Sequence, residues 1–184
     1  MKKQSPLFVD LDGTLISDDL SNLAFMGFLK KNPLKTIIYS FLFLFFGKAY
    51  LKEKISRNFK VPLKKLKFNK SCIEYILREK NDNRPIILIS GSHQTLVDQI
   101  QNHLKLFLEV YGTHENYNMV GVNKTKFINH KLKYEHFDYI GNSKKDLPIW
   151  DHTKNIIFTN ASTNLKKIIK SKNISKFEIK AIFE

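Results

Sequence analysis

Cysteine is nearly absent, Cys72 being the single one in 184 residues. That excludes an intramolecular disulfide and a cysteine metal site, and makes a reducing compartment the simpler expectation. Arginine is scarce as well: Arg57, Arg78 and Arg84 are the only arginines among 31 basic residues, which face 17 acidic ones for a formal charge of +14. The charge is thus a lysine charge, without the arginine and stacked-aromatic pattern of nucleic-acid surfaces, and no nucleic-acid partner is expected. No long apolar run exists. The longest uncharged one, TIIYSFLFLFFG at 36–47, would reach about 18 Å as a helix against roughly 30 Å of bilayer hydrocarbon, so it cannot span alone. At the N-terminus acidic residues follow after only three apolar positions, Leu7, Phe8 and Val9. A signal-peptide core is therefore not read there, and a cytoplasmic protein is expected. Internal repeats and low-complexity linkers are also missing.

What is present is enough for a core: 42% apolar residues, with 15 Phe, argue for one folded domain with a small insert. Residues 7–9 form a short apolar run ending on Asp10, which reads as a buried strand. From Gly13 to about Lys80 the pattern is helical. Residues 85–90 (RPIILIS from 84) are a second buried strand, 94–105 a helix, and 107–111, 137–140 and 155–159 further strands. Alternation of this kind predicts an α/β fold, a Rossmann-like doubly wound parallel sheet with helices on both faces, formed by 1–17 and 81–184. Residues 18–80 are expected to be a helical cap subdomain inserted after the first strand.

In such sheets ligands sit beyond the carboxyl ends of the strands. Three of those ends carry chemistry: Asp10 with Asp12, Ser90, and the loop 141–146. Each residue type alone is common in turns; their convergence on one sheet edge is what an active site requires. Two carboxylates two residues apart repel unless a cation or a shared proton joins them. One can then attack phosphorus while the other moves protons.

The run Val9-Asp10-Leu11-Asp12-Gly13-Thr14-Leu15 resembles the first motif of the haloacid dehalogenase-like (HAD) superfamily. The resemblance implies a Mg²⁺-dependent phosphatase in which Asp10 is nucleophile and metal ligand, and Asp12 is general acid/base and binds the metal through its main-chain carbonyl. The second motif, a Ser or Thr closing an apolar strand, is matched by Ser90, whose hydroxyl would hold the phosphoryl group together with the Gly91 N–H. For the third-motif lysine there are two candidates, Lys124 and Lys126, with Lys124 preferred. The fourth motif usually reads GDxxxD; here Gly141-Asn142-Ser143-Lys144-Lys145-Asp146 puts an amide where the first carboxylate belongs. Asn142 and Asp146 would complete the metal site, with one negative charge fewer. Asp19, where related phosphatases place an acidic substrate contact, is read first as a helix N-cap.

The stretch FDYIGNSKKDLPIWDHTKNIIFTNAS, from Phe137 to Ser162, is further similar to the HAD-like domain associated with UbiA-type prenyltransferases. This implies a lipid-linked or membrane-adjacent phosphate as substrate and a prenyltransferase as partner. The apolar run at 36–47 and the lysine-rich stretch that follows to Lys70 leave two readings open, a buried cap core or peripheral contact with the inner membrane face. Rival functions are a phosphatase of a small soluble metabolite, phosphoserine-like or a sugar phosphate, a catalytically weak module that binds phosphate or lipid, and, least expected, a polynucleotide-end phosphatase that would use the +14 charge.

Overall fold

The structure, a computed structural model, describes residues 4–57, 59–114, 116–171 and 178–182. In chain order its main elements are β1 (Leu7–Val9), α1 (Leu20–Lys31), α2 (Pro33–Ser56), α3 (Lys70–Asn81), β2 (Ile86–His93), α4 (Gln94–Leu104) and β3 (Glu109–Thr113). Then follow α5 (Val122–Lys126), β4 (Asp138–Gly141), α6 (Leu147–Trp150), β5 (Asn155–Phe158), α7 (Thr163–Ser171) and β6 (Glu178–Ala181). The strands make one parallel sheet in the order β3-β2-β1-β4-β5-β6. Winding reverses between β1 and its neighbour β4, so the crevice of the doubly wound sheet opens at the end of β1, directly beside Asp10.

The strands are apolar throughout because both sheet faces are covered. Leu7, Val9, Leu88 and Ile140 turn to one face, against Cys72 and Ile76 of α3 and Leu96, Val97 and Ile100 of α4. Phe8, Ile87, Ile89 and Tyr139 turn to the other, against Ile128, Trp150, Leu165 and Ile169. Each such side chain contributes about 1.5–3 kcal/mol by leaving water. Of the residues 18–80, α1 and α2 form a hairpin joined at Asn32 whose near end reaches the ends of β1 and β2, whereas α3 lies on the sheet.

Several expected boundaries move. The helical pattern does not run unbroken to Lys80: from Arg57, the C-cap of α2, to Asn69 the described chain makes only one 3₁₀ turn, Leu63–Lys65. Pro62, without an N–H, stands just before that turn, and Asn69 restarts the helix by accepting the Cys72 N–H at 2.9 Å. Within α2, Gly47 leaves helical geometry at φ 79°. Strand β3 starts two residues later than expected because the Gln101 side chain claims Phe107, donating to its carbonyl at 2.7 Å and accepting its N–H at 3.3 Å. Strand β6, at the sheet edge, was not foreseen.

At the opposite, amino end of the strands Arg84 donates to Asp138 at 2.5 Å, to Glu79 at 2.7 Å and to the Ser5 carbonyl at 2.8 Å. Asp138 also accepts the Asn155 N–H at 2.9 Å. Removing one partner of a buried ion pair strands the other. Asp138→Ala is therefore expected to cost about 3 kcal/mol in urea unfolding while leaving kcat unchanged, since the pair lies far from the crevice.

Candidate active site

Beyond the ends of β1, β2 and β4 lies a cleft of about 540 Å³ lined by Asp10, Asp12, Gly91, Lys124, Asn142 and Asp146 together with Asp19, Ser21 and Lys52 from the hairpin. Gly13 turns the chain out of β1 at φ +79°, and a Cβ there would run into the Asn142 side chain. Glycine therefore serves both the turn and the close approach of the two loops.

Asp10 is buried, and its two oxygens are held differently. Oδ1 accepts from Lys124 Nζ at 2.5 Å and Oδ2 from Thr14 Oγ1 at 3.2 Å. Burial pushes the Asp10 carboxyl up to about 7; Lys124 opposes this, while the charges of Asp146 and Asp12 add to it. Lys124 also donates to Tyr139 Oη at 2.9 Å, and that hydroxyl donates to Asp146 Oδ1 at 2.8 Å. A continuous chain Asp10–Lys124–Tyr139–Asp146 results. Tyr139 is fully buried and its hydroxyl is held well above its ordinary pKa, so it stays protonated as a donor. Lys126, the other lysine candidate, is exposed.

Asp12 is satisfied by donors from two directions. Oδ1 accepts the Leu20 N–H at 2.8 Å, the first free amide of α1, and Oδ2 accepts from Ser90 Oγ at 2.8 Å and Ser92 Oγ at 2.9 Å. Ser92 in turn meets Ser21 of α1 at 3.1 Å. Desolvation raises the Asp12 pKa despite these bonds. Ser90 is fully buried, its hydroxyl donating to Asp12 Oδ2 and accepting the Ser92 N–H at 2.9 Å. Gly91 lines the cleft.

Asp19 caps α1, accepting the Asn22 N–H at 2.9 Å, and also lines the cleft. His93 caps α4, its ring accepting the Thr95 N–H, and Trp150 is buried, its indole N–H donating to the Tyr139 carbonyl at 3.1 Å. Sequence reading missed Tyr139, Ser92 and Lys52. Lys52 donates to the Gly91 carbonyl at 2.6 Å and to Asn118 Oδ1 at 3.1 Å, tying α2 to the floor of the cleft. Only the acidic loop beside Tyr139 could have flagged it; nothing local distinguishes Ser92 or Lys52.

The donor set suits Mg²⁺. Asp10, Asp12 and Asn142, which offer hard oxygens, line one cleft, and its five aspartates (Asp10, Asp12, Asp18, Asp19 and Asp146) against three lysines (Lys52, Lys124 and Lys145) leave an excess of negative charge for a divalent cation to balance. Among the described residues no three His, Cys, Asp or Glu side chains form a metal-holding group by themselves. Backbone and amide oxygens would have to complete the shell. Asp146 Oδ2 already accepts the Asn142 N–H, the Ser143 N–H and Ser143 Oγ, and Oδ1 accepts from Tyr139 Oη, so Asp146 would act chiefly through its charge.

Removal of the bridging hydroxyl by Tyr139→Phe is expected to lower kcat about tenfold and stability by about 1–2 kcal/mol, read by steady-state kinetics and thermal unfolding.

The parallel sheet with helices on both faces is a fold also seen in solved HAD family hydrolases. Solved structures that share it include a protein of unknown function from Bordetella pertussis Tohama I, with TM-score 0.68, 12% identity, 99% of this chain and 100% of that one covered. The HAD family hydrolase t0658 from Salmonella enterica subsp. enterica serovar Typhi gives TM-score 0.62 at 12% identity, over 89% of this chain and 65% of that one. A phosphoserine phosphatase captured as a phospho-aspartyl intermediate analogue gives TM-score 0.60 at 14% identity, over 98% and 94%. In sequence, protein y4nM of Sinorhizobium fredii (strain NBRC 101917 / NGR234), described as uncharacterized, is 31% identical over 152 residues. Those residues are 81% of this chain but 28% of y4nM, so the chain spans little more than a quarter of that relative. No family model matches the sequence.

Proposed function

We propose that the protein is a Mg²⁺-dependent phosphomonoester hydrolase working through an aspartyl-phosphate on Asp10. The observation that carries this reading is the paired placement of Asp10 and Asp12 at the end of β1. One carboxylate is held by a buried lysine, the other by three donors, and both line the same cleft.

An Asp10 oxygen attacks phosphorus and the bond to the leaving oxygen breaks as protonated Asp12 gives its proton to that oxygen. Asp12, now ionised, takes a proton from an incoming water that attacks the same phosphorus; the bond to Asp10 breaks and inorganic phosphate leaves. Lys124 and the Gly91 N–H supply positive charge to the phosphoryl oxygens, in a reaction that depends mainly on positioning and neutralisation. Mg²⁺ held at Asp10, the Asp12 carbonyl and Asn142 would add a compact double charge to the same end.

The similarity to the domain associated with UbiA-type prenyltransferases favours a lipid-linked phosphate as substrate and a prenyltransferase as partner. Likeness to phosphoserine phosphatase favours a small soluble phosphometabolite instead. Hydrolysis of p-nitrophenyl phosphate with and without Mg²⁺ tests the reaction, and a comparison of phosphoserine with a polyprenyl monophosphate separates the substrates. Absence of metal-dependent turnover on all three would overturn the reading in favour of a binding module.

A further inference from the structure

The hairpin that holds the cleft also carries the largest exposed apolar surface among the described residues. Leu34, Ile37, Ile38, Phe41, Leu44 and Phe45 of α2 are each between 56% and 76% exposed. At 100° per residue they fall within about 120° of arc, a single stripe along the helix. The opposite side is used at its start, where Thr36 is buried and Tyr39 stacks on Phe28 of α1, ring centroids 5.7 Å apart; Phe46, 61% exposed, stands off the stripe beside Gly47, its ring near that of Tyr50. The side chains of Phe43 and Lys48, part of the run read from sequence, lie outside the described ones.

We propose that this stripe lies on an anionic lipid bilayer, the helix resting in the plane of the interface. Charge selects that occupant. From Leu20 to Lys52 the chain has no acidic residue and no arginine, while Lys30, Lys31 and Lys35 are exposed beside the stripe. Lysine flanking bare Phe, Leu and Ile, with no acidic partner, suits phosphate headgroups above acyl chains; protein interfaces favour arginine and are depleted in lysine. Residues 33–46 would measure about 21 Å as a helix, short of a bilayer core, and no described helix is long and apolar enough to cross one. The stripe ends at the Gly47 break, and Lys52 on the same helix touches the floor of the cleft. Docking through 34–45 therefore places the lipid surface on the hairpin that lines the cleft, Phe45 standing seven positions before Lys52.

The test is co-sedimentation of the chain with vesicles of phosphatidylcholine alone and of phosphatidylcholine mixed with phosphatidylglycerol, at low and high salt. Alongside it run Phe41→Ser/Phe45→Ser and Lys30→Gln/Lys31→Gln/Lys35→Gln, with circular dichroism to confirm folding and sedimentation velocity without lipid. Expected is pelleting with the anionic vesicles that weakens with salt, falls about tenfold or more in the lysine variant and is lost in the phenylalanine variant. Failure to pellet, or pelleting indifferent to both variants, overturns the proposal. A lipid-free dimer dissolved by Phe41→Ser/Phe45→Ser, with no vesicle binding, overturns it in favour of a second copy on the stripe.

Discussion

Asp10→Asn is expected to reduce Mg²⁺-dependent hydrolysis of p-nitrophenyl phosphate by about 10⁴-fold or more, with circular dichroism unchanged. The amide keeps the shape of the carboxylate and one oxygen for Thr14 or Lys124, so the end of β1 has no reason to rearrange. What disappears is the proposed nucleophile. Retention of more than a small fraction of the activity would sink the aspartyl-phosphate mechanism and leave water as the direct attacking group.

The second large effect falls on Lys124. Its ammonium is the nearest cation to a carboxylate that burial drives toward the neutral form. Lys124→Met keeps the stem and deletes the charge, and kcat is expected to fall about 10²- to 10³-fold. The sign of the accompanying pH effect follows from the same contact. Asp10 must be ionised to attack, and Lys124 lowers its pKa, so without the lysine ionisation needs a more alkaline solution. The acid limb of the rate profile should therefore move to higher pH, by the amount of ion-pair energy lost. An unmoved limb with reduced kcat would mean that Lys124 serves only the phosphoryl group and not its aspartate.

Much of this site was legible in the chain because its parts are anchored to local patterns. Asp10 and Asp12 follow an apolar triplet, Asn142 and Asp146 follow β4, and the structure brings them and Lys124 to one cleft. Pairings that depend on register across the sheet left no local trace. Asp10 meets Lys124 across 114 residues, and in a chain so rich in lysine only burial separates Lys124 from exposed Lys126. Ser90 shows the same limit. Its place on the second strand was readable, although β2 runs on past it to His93, and the partner that takes its hydroxyl was not, because that depends on how deeply Asp12 is buried. The break in helix between α2 and α3 left little trace since Pro62 is the only strong breaker there amid residues that fit a helix. Whether the apolar run of α2 is hidden or bare was likewise decided by which side of the helix meets α1, a choice that composition does not make.

The bond from the Leu20 amide to Asp12 bears on modularity. The insert is stitched into the proton-handling group by the first backbone N–H of its own opening helix, with Ser21 reaching the same carboxylate through Ser92. An insert grafted from another protein to alter selectivity would have to bring an equivalent amide to the same point. Without it the swap would raise the Asp12 pKa further before it reached any substrate, so here the choice of hairpin and the acidity of Asp12 are inherited together.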